Sequence, residues 1–297
     1  MKFLVTGGAG FIGSHLVRRL SSRGTVTVLD DLSSGKRENL AGLNCTWLPG
    51  SVLDPASLAE ACSGATHVFH LAALVSVPES VVHPARCHEI NVEGTRRVIA
   101  AAAQAGARRL VLASSCAVYG NEPTMPKTEN SPVAPASPYA ESKLAGEKLC
   151  AEADLPSVAL RFFNVYGPRQ DPRGPYAAAV PKFLAAARAS TPLTIFGNGH
   201  QTRDFVFVDD VTAALEHAAL TPSMAGIYNV ASGHSVSVLR LAELVLALTG
   251  LRSEIRHAPA RPGDILHSSA SIEKLCATGW KPAFDLAAGL QKILSQA

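Results

Sequence analysis

The stretch Gly7-Gly8-Ala9-Gly10-Phe11-Ile12-Gly13 decides the fold class of this chain of 297 residues. It directly follows the apolar run Lys2–Thr6, predicted as a strand, and it opens the helical pattern Phe11–Arg23. Glycines at this spacing allow a tight turn, a close approach of the backbone to a pyrophosphate, and close packing of helix on strand. The N–H groups at the start of the helix then face the anion. The segment predicts a dinucleotide site that includes Gly7, Gly10, Phe11, Ile12 and Gly13.

An acidic residue follows the next predicted strand, Thr25–Leu29. This residue, Asp30, lies 17 positions after Gly13, close to the spacing of the acidic residue that accepts a hydrogen bond from the adenosine ribose. A carboxylate there repels a 2′-phosphate, so the pattern favours NAD over NADP.

Outside this segment, short apolar runs alternate with helical patterns, which indicates an α/β fold with a Rossmann-type, doubly wound parallel sheet. The predicted strands are Lys2–Thr6, Thr25–Leu29, Cys45–Leu48, His67–Leu71, Arg109–Ser114 and Ser157–Arg161. The predicted helices between them are Phe11–Arg23, Pro55–Cys62, Glu89–Gly106 and Pro138–Ala153.

After Asn164, proline and glycine become frequent, which predicts a smaller, loop-rich and mostly C-terminal substrate lobe. Helices are expected there at Ala177–Ala189, Asp209–Ala219 and Val236–Thr249, and near both ends of Ser271–Leu294. We therefore expect residues 1–164 plus about 205–235 to bind NAD, and about 165–204 plus 236–297 to bind a nucleotide sugar.

The composition excludes several other classes. Apolar residues make up 47 % of the chain and the net charge is +3 without a long basic run, so neither a disordered chain nor a nucleic-acid partner is indicated. No uninterrupted apolar segment reaches about 18 residues, so no membrane association is expected. The six cysteines are scattered without a CxxC pair, which argues against a metal site and favours the reducing cytoplasm.

Two polar groups predict proton transfer. Tyr139 and Lys143 lie at i and i+4 of a helix that Ser137 caps and Pro138 opens, so both project from one face. An ammonium beside the phenol, together with a positive nicotinamide ring, is expected to lower the pKa of the phenol. Ser114 and Ser115 end the fifth predicted strand, where a hydroxyl can relay a proton to the phenolate.

These residues, taken together, resemble the extended short-chain dehydrogenase/reductase family, in particular its nucleotide-sugar 4-epimerase branch. The resemblance covers essentially the whole chain. It is carried by GGAGFIGSH (7–15), DDLSSG (30–35), HLAA (70–73), Asn91, SSCAVYG (114–120), YAESK (139–143), RFFNVYGPRQ (161–170), GNGHQTRDFVFVDD (197–210) and RPGD (261–264).

The resemblance implies a role for each matching residue. The catalytic residues would be Ser115, Tyr139 and Lys143. Tyr139 and Lys143 would also contact NAD, with Asp30, Asp31, Ser33, Ser34, Gly35, Ser51, Val52, Leu71, Ala72, Ala73, Asn91, Ser114 and Phe163. The UDP-sugar would contact Ser115, Asn164, Val180, Ile195, Phe196, Arg203, Arg261, Asp264 and Ser268. A homodimer formed through Glu89–Gly106 and Pro138–Ala153 is also implied.

The chain departs from family patterns at informative positions. Ser51 stands where an aspartate often contacts the adenine, and Val75 stands where a lysine is common. Cys116-Ala117 replaces the Asp-Glu pair of the sugar dehydratases, and an alanine cannot transfer the proton that loss of water requires. Ser268, seven positions after Arg261, replaces a large aromatic residue and leaves room for an N-acetyl group.

The sequence thus predicts an NAD-dependent UDP-hexose 4-epimerase that works through a transient 4-keto sugar. Its expected substrates are UDP-Glc and UDP-Gal, together with UDP-GlcNAc and UDP-GalNAc. An epimerase of another nucleotide sugar such as a UDP-uronic acid, a nucleotide-sugar dehydratase or reductase, and a non-catalytic NAD-binding module remain open.

Overall fold

The computed structural model describes residues 1–173, 177–260 and 266–296 of the chain. Twelve strands occur in these ranges: β1 (Lys2–Thr6), β2 (Thr25–Asp30), β3 (Thr46–Pro49), β4 (His67–His70), β5 (Arg109–Ser115), β6 (Ser157–Phe162), β7 (Asn164–Tyr166), β8 (Leu193–Phe196), β9 (Thr202–Phe207), β10 (Gly226–Val230), β11 (Ser235–Ser237) and β12 (Ile255–Ala258).

The same ranges contain eleven α-helices: α1 (Phe11–Leu20), α2 (Pro55–Cys62), α3 (Val77–Val82), α4 (Pro84–His88), α5 (Gly94–Gln104), α6 (Pro138–Glu152), α7 (Ala179–Arg188), α8 (Val208–Leu220), α9 (Val238–Thr249), α10 (Glu273–Cys276) and α11 (Leu286–Ser295). One π-helical turn, Glu89–Glu93, precedes α5, and short 3-10 turns occur at Arg37–Leu40 and Cys116–Tyr119.

A seven-stranded sheet with the order β10-β6-β5-β4-β1-β2-β3 dominates the first of two compact units. The contacts of β1 with β2 and β4, of β2 with β3, and of β5 with β4 and β6 are all parallel. Strand order reverses between β1 and β4, and ligands of open α/β sheets bind beyond the carboxyl ends of the strands at such a reversal. The predicted Rossmann-type fold is confirmed.

The core on one face of this sheet is formed by α2, α5 and the strands beneath them. Leu58 of α2 and Val98 of α5 are buried against Leu4, Val68 and Leu110 of the sheet. Helix α2 begins where predicted because Pro55 stands at its first position and the Asp54 carboxylate accepts a hydrogen bond from Ser57 N.

The second unit contains residues 123–128, 163–210 and the described residues from 230 onward. It holds a three-stranded sheet, β11-β9-β7, and a two-stranded sheet, β12-β8. The sequence predicts that residues 205–210 and 230–235 belong to the NAD-binding part. In the structure they cluster with this second unit.

Candidate functional site

The glycine turn is held in a shape that only glycines can adopt. Gly7 has a φ of +71°, and a Cβ there would lie 2.7 Å from Ala72 N. A Cβ on Gly13 would lie 2.1 Å from Gly7 O, so helix α1 packs directly on the turn. Gly10 caps α1 without a side-chain hydrogen bond, which leaves the N–H groups of the first turn facing outward.

Asp30 is 7 % exposed and fastens this turn to the end of β2. Its carboxylate accepts hydrogen bonds from Ala9 N at 2.8 Å and from Leu32 N at 2.9 Å. Burial raises the pKa of Asp30, and these two backbone hydrogen bonds act in the opposite direction. Leu32 has a φ of +58°, so the chain turns sharply directly after the carboxylate.

The segment after Asp30 closes around the glycine turn. A Cβ on Gly35 would approach Asp30 Oδ1 to 2.9 Å, so this position also requires a glycine. Lys36 N and Asn39 Nδ2 both donate to Ala9 O, and neither residue was predicted from the sequence. The other residues expected at the cofactor in these segments are placed as follows. The Asp31 carboxylate accepts a hydrogen bond from Ser33 N, and Ser34 is exposed. The Ser51 hydroxyl accepts a hydrogen bond from Leu53 N, and Val52 is buried.

Asn91 serves as a clamp on the loop after β4. Its Oδ1 accepts from Leu74 N at 2.7 Å, and its Nδ2 donates to Leu74 O at 3.0 Å and to Ser142 Oγ at 2.9 Å. This loop contains the half-buried residues Leu71, Ala72 and Ala73. It contacts the glycine turn where the backbone of Ala72 lies close to Gly7. The side chain of Asn91 thus shapes the loop from its buried side.

A buried histidine links β1 to the same region. The Thr95 hydroxyl donates to Asn91 O at 2.6 Å, because a carbonyl can only accept. His70 Nε2 therefore donates to Thr95 Oγ1 at 2.9 Å, and His70 Nδ1 accepts from the Thr6 hydroxyl at 2.8 Å. Burial, with a smaller effect of the Lys143 charge, lowers the pKa of His70 to about 3. The ring is neutral and has one defined tautomer.

The three residues expected to transfer protons lie together in the first unit. Helix α6 begins with Pro138 and is capped by Ser137 Oγ, which accepts from Ala140 N at 3.2 Å, as predicted. The Ser115 hydroxyl lies close enough to the Tyr139 phenol to lower its pKa. Lys143 Nζ donates to Ala113 O at 2.9 Å and lies 5.8 Å from the centre of the Tyr139 ring.

The pKa values of this group differ from the expectation for the tyrosine. Burial raises the pKa of Tyr139 to about 12, although the nearby Ser115 hydroxyl acts to lower it. Burial also lowers the pKa of Lys143 to about 8, against the charges of Cys87 and Glu147. The sequence predicts a lowered pKa for Tyr139 in the presence of a positive nicotinamide ring. Without that ring, the loss of hydration on burial has a larger effect on the pKa than the neighbouring polar groups.

Ser114 has a different position from its neighbour. Its side chain is buried and its hydroxyl donates to Glu147 Oε1, so its hydroxyl points to α6 and the ion pair behind the strand. Sequence reasoning did not select Glu147, although its position four residues after Lys143 puts it on the same face of α6.

Of the residues expected to bind the UDP-sugar, those that the structure describes occur in the second unit, apart from Ser115. Asn164 Nδ2 donates to Asp204 O at 3.2 Å, and Arg203 on β9 is half-buried. Val180 and Ile195 are each 1 % exposed, so their side chains pack in the core, while Phe196 is half-buried. Phe163, expected at the cofactor, is buried in this unit, and Arg261 and Asp264 lie outside the described residues.

Asp204 anchors this part of the second unit. It is fully buried, and its carboxylate accepts from Ser232 N and Oγ, each at 2.7 Å, and from Gly233 N at 3.1 Å. Ala270 N also donates to it at 3.4 Å, and Ser235 Oγ donates to Ser268 O at 2.8 Å. Ser268 is half-buried, and the hydrogen bond from Ser235 holds its backbone carbonyl. Asp204 holds the same chain segment two residues further on, at Ala270.

The residues of the glycine turn fit a dinucleotide. Among the described atoms, a Cβ added to Gly10 would meet only Gly7 O, at 3.2 Å, so there is open space beside the first turn of α1. The Asp30 carboxylate at the end of the next strand supplies the acceptor for a ribose.

Comparisons with known proteins agree with this geometry. Residues 3–231 match the model of the NAD dependent epimerase/dehydratase family. The chain belongs to this family. It is 40 % identical to a UDP-glucose 4-epimerase of Mycolicibacterium smegmatis, over 98 % of this chain and 97 % of that protein.

Two solved structures extend the similarity to the whole fold. A UDP-N-acetylglucosamine 4-epimerase from Methanobrevibacter ruminantium, in complex with UDP-N-acetylmuramic acid, has a TM-score of 0.94 at 38 % identity and covers 100 % of this chain and 99 % of that chain. A UDP-glucose 4-epimerase from Thermus thermophilus, in complex with NAD, has a TM-score of 0.90 at 38 % identity, covering 99 % and 98 %. The family assignment predicted from the sequence is confirmed.

Proposed function

We propose that this protein is an NAD-dependent UDP-hexose 4-epimerase. It interconverts UDP-Glc with UDP-Gal, and it also accepts UDP-GlcNAc and UDP-GalNAc. The observation that carries the proposal is the grouping of the Tyr139 phenol, the Ser115 hydroxyl and the Lys143 ammonium at the carboxyl end of β5. This end of the sheet is where α/β folds of this type bind their ligands.

The chain's own residues supply the proton chemistry. The Tyr139 oxygen accepts the proton of the sugar 4-hydroxyl, directly or through the Ser115 hydroxyl, and later returns it. The Lys143 ammonium stabilises the phenolate form of Tyr139, which is the form that can accept this proton. NAD held by the glycine turn and Asp30 would supply the acceptor and donor of the C4 hydride, which makes a 4-keto sugar the transient species.

Residues of the second unit would hold the nucleotide. The half-buried Arg203 guanidinium suits the oxygens of a diphosphate, and we assign Arg261 and Asp264 the same diphosphate and ribose contacts that the family resemblance implies. Binding of the nucleotide part of the substrate keeps the sugar in place while either of its faces is presented to the hydride. The small side chain of Ser268 leaves space for an acetamido group at C2.

The alternative functions differ from the proposed one in the chemical groups that they require. A dehydratase needs a general acid and base beside the catalytic hydroxyl, and Cys116-Ala117 does not supply that pair. A UDP-uronic acid 4-epimerase uses the same proton-transfer residues, so the substrate test distinguishes it. The intact group of Ser115, Tyr139 and Lys143 argues against a non-catalytic module.

The test is to incubate the purified protein with each UDP-sugar separately and to resolve the products by chromatography. We expect conversion within both UDP-hexose pairs, and absorbance of the denatured supernatant should show the nicotinamide cofactor. Conversion of UDP-glucuronic acid alone, or release of a dehydrated sugar, would contradict the proposal.

We further propose a homodimer and a cytoplasmic location. Helices α5 and α6 pack against each other in the first unit, and Leu144 and Leu149 of α6 are only half-buried. Leucines left partly exposed on this helix pair are compatible with packing against a second copy of the chain. Among the described residues, no helix is both long and apolar enough to span a membrane.

A further inference from the structure

Three consecutive residues at the end of β5 contact three residues spaced one turn apart on α6. Lys143 donates to Ala113 O, Glu147 accepts from the Ser114 hydroxyl, and the Tyr139 phenol lies near the Ser115 hydroxyl, which lowers its pKa. Two of these three contacts belong to the proton-transfer group. The third, through Glu147, has no part in the proposed chemistry.

Glu147 is one half of a buried ion pair. Its side chain is 2 % exposed and that of its partner Arg161 is 3 % exposed. Arg161 Nε donates to Glu147 Oε1 at 2.9 Å and Arg161 Nη2 donates to Oε2 at 2.7 Å, the bidentate geometry of a strong pair. Arg161 belongs to β6, which lies next to β5 in the sheet.

The arginine is itself held from its other side. Its Cζ lies 4.7 Å from the centre of the Tyr119 ring, and the Tyr119 hydroxyl donates to Asn229 Oδ1 at 2.7 Å. Tyr119 closes the 3-10 turn that starts directly after Ser115. The buried pair therefore contacts residues on both sides of Ser115 in the sequence, Ser114 before it and Tyr119 after it.

Replacing a buried ion pair by apolar residues of similar volume is often neutral or stabilising for a fold. Stability alone therefore does not explain two charges at this depth. Their location offers an explanation, because the carboxylate stands one helical turn from Lys143 and one hydrogen bond from the residue before Ser115.

We propose that Glu147, held by Arg161, is a positioning residue for the epimerase reaction: it sets the register of α6 on β5 and keeps a negative charge beside the Lys143 ammonium. The proposal rests on the proposed function, because it concerns the proton transfer of that site. Glu147 acts through Lys143 and Ser115 and does not contact the substrate.

The first variant for the test is Glu147→Gln, which preserves size and removes the charge. We expect kcat to fall at least about tenfold, since a misplacement of about 1 Å can cost 10²-fold in rate. KM for UDP-Glc should stay within about twofold, because binding groups are unchanged. The alkaline limb of the plot of kcat against pH should move to lower pH by about half a unit, because the Lys143 ammonium loses the neighbouring negative charge of Glu147 that favours it.

A double variant covers the case in which an unpaired Arg161 prevents folding. In Glu147→Met with Arg161→Met, both charges are replaced by apolar side chains, and we expect a folded protein with the same loss of kcat and the same shift of the alkaline limb. NAD content after gel filtration should match that of the wild type, which separates positioning from loss of cofactor.

Glu216→Gln is the matched control. Glu216 is also a buried carboxylate, 7 % exposed, and it pairs with Arg19 and Arg23 away from α6. Its loss should lower the melting temperature and leave the pH profile unchanged. A double variant of Glu147 and Arg161 with wild-type kcat and an unshifted limb would overturn the proposal, and so would failure of both Glu147 variants to fold.

The wild type is measured first in the same assay. If it converts neither UDP-hexose pair, the proposed function fails, whatever the variants do. If it is active and the Glu147 variants keep its kcat and pH profile, only the positioning role fails.

Discussion

At the scale of single residues, the proposed proton transfer depends on how burial and charge act on Tyr139 and Lys143. Burial raises the pKa of Tyr139 to about 12 and lowers that of Lys143 to about 8. The two effects favour neutral forms of both groups, so the positive charge of an oxidised nicotinamide is needed to favour the phenolate. Chemistry and cofactor binding are thereby coupled.

Tyr139→Phe should remove turnover and retain the fold. In the proposed reaction the deprotonated Tyr139 oxygen is the proton acceptor, and loss of a general base costs about 10²–10⁴-fold in kcat. Chromatography of UDP-Glc reactions measures the rate, and absorbance of the denatured protein measures bound NAD. A protein that keeps its rate without this hydroxyl would use another base.

Ser268→Tyr should separate the two substrate pairs. The larger side chain is expected to occupy the space for the acetamido group, so kcat/KM for UDP-GlcNAc should fall by at least about tenfold while that for UDP-Glc changes little. Ser269→Tyr, at the neighbouring half-buried position, serves as the matched control. Equal losses for both sugars would contradict the assignment of Ser268.

His70 should make stability depend on pH in acid. The pKa of its ring is about 3 in the folded protein, against a usual value of 6.5, so the unfolded chain binds more protons between these values. Its contribution to stability is complete above pH 6.5 and is lost as the pH falls, with a slope of about 1.4 kcal/mol per pH unit. Urea unfolding of the wild type and of His70→Gln from pH 4 to pH 7 compares the slopes, and parallel curves would contradict this role.

At the scale of elements, the glycines of the turn between β1 and α1 have two different roles. A Cβ on Gly13 would collide with the backbone of Gly7, whereas a Cβ on Gly10 would meet Gly7 O at 3.2 Å and otherwise enter open space. Packing therefore requires a glycine at position 13, and we expect position 10 to need one because the proposed pyrophosphate would occupy the open space beside it.

We expect Gly13→Ala to lower the melting temperature and to abolish NAD binding. Gly10→Ala should abolish NAD binding with a melting temperature within a few degrees of the wild type, because the added methyl group meets only Gly7 O, at 3.2 Å, and otherwise fills the open cradle. Calorimetry with and without NAD measures both. Retention of NAD by the Gly10→Ala protein would place the pyrophosphate elsewhere.

The elements that could be predicted are those with strong local signals. Strand β1 and helix α2 have the predicted bounds, and β5 and β6 extend one residue further than predicted, because long apolar runs and helix caps are local features. The predicted helix Glu89–Gly106 is a π-helical turn followed by α5, and that turn includes Asn91, the clamp of the neighbouring loop.

The short strands of the second unit could not be predicted in this way. Strands β7 and β11 have three residues each, too few for a periodic pattern, and β10 joins the main sheet through a contact distant in sequence. The buried partners His70–Thr95 and Glu147–Arg161 were missed as pairs for the same reason, since only folding brings their segments together.

At the scale of the whole molecule, the face formed by α5 and α6 determines the expected assembly. Leu144→Glu should convert a dimer to a monomer, because a charge in an apolar two-fold interface meets its own copy. Light scattering coupled to gel filtration measures the mass. Leu251→Glu, at a position that is 37 % exposed in the second unit, is the matched control and should leave the mass unchanged. A monomeric wild type would contradict the proposed dimer.

The two hydrogen bonds that the Asp30 carboxylate accepts from Ala9 N and Leu32 N have a consequence for engineering. A redesign toward the phosphorylated dinucleotide would begin by removing this acid, since a carboxylate at the proposed ribose contact repels the extra phosphate. The same replacement would detach the nucleotide-binding turn from the end of its neighbouring strand. A switch of coenzyme in this scaffold therefore requires a second substitution that restores the lost tether, and a single exchange at position 30 yields a protein that holds neither coenzyme well.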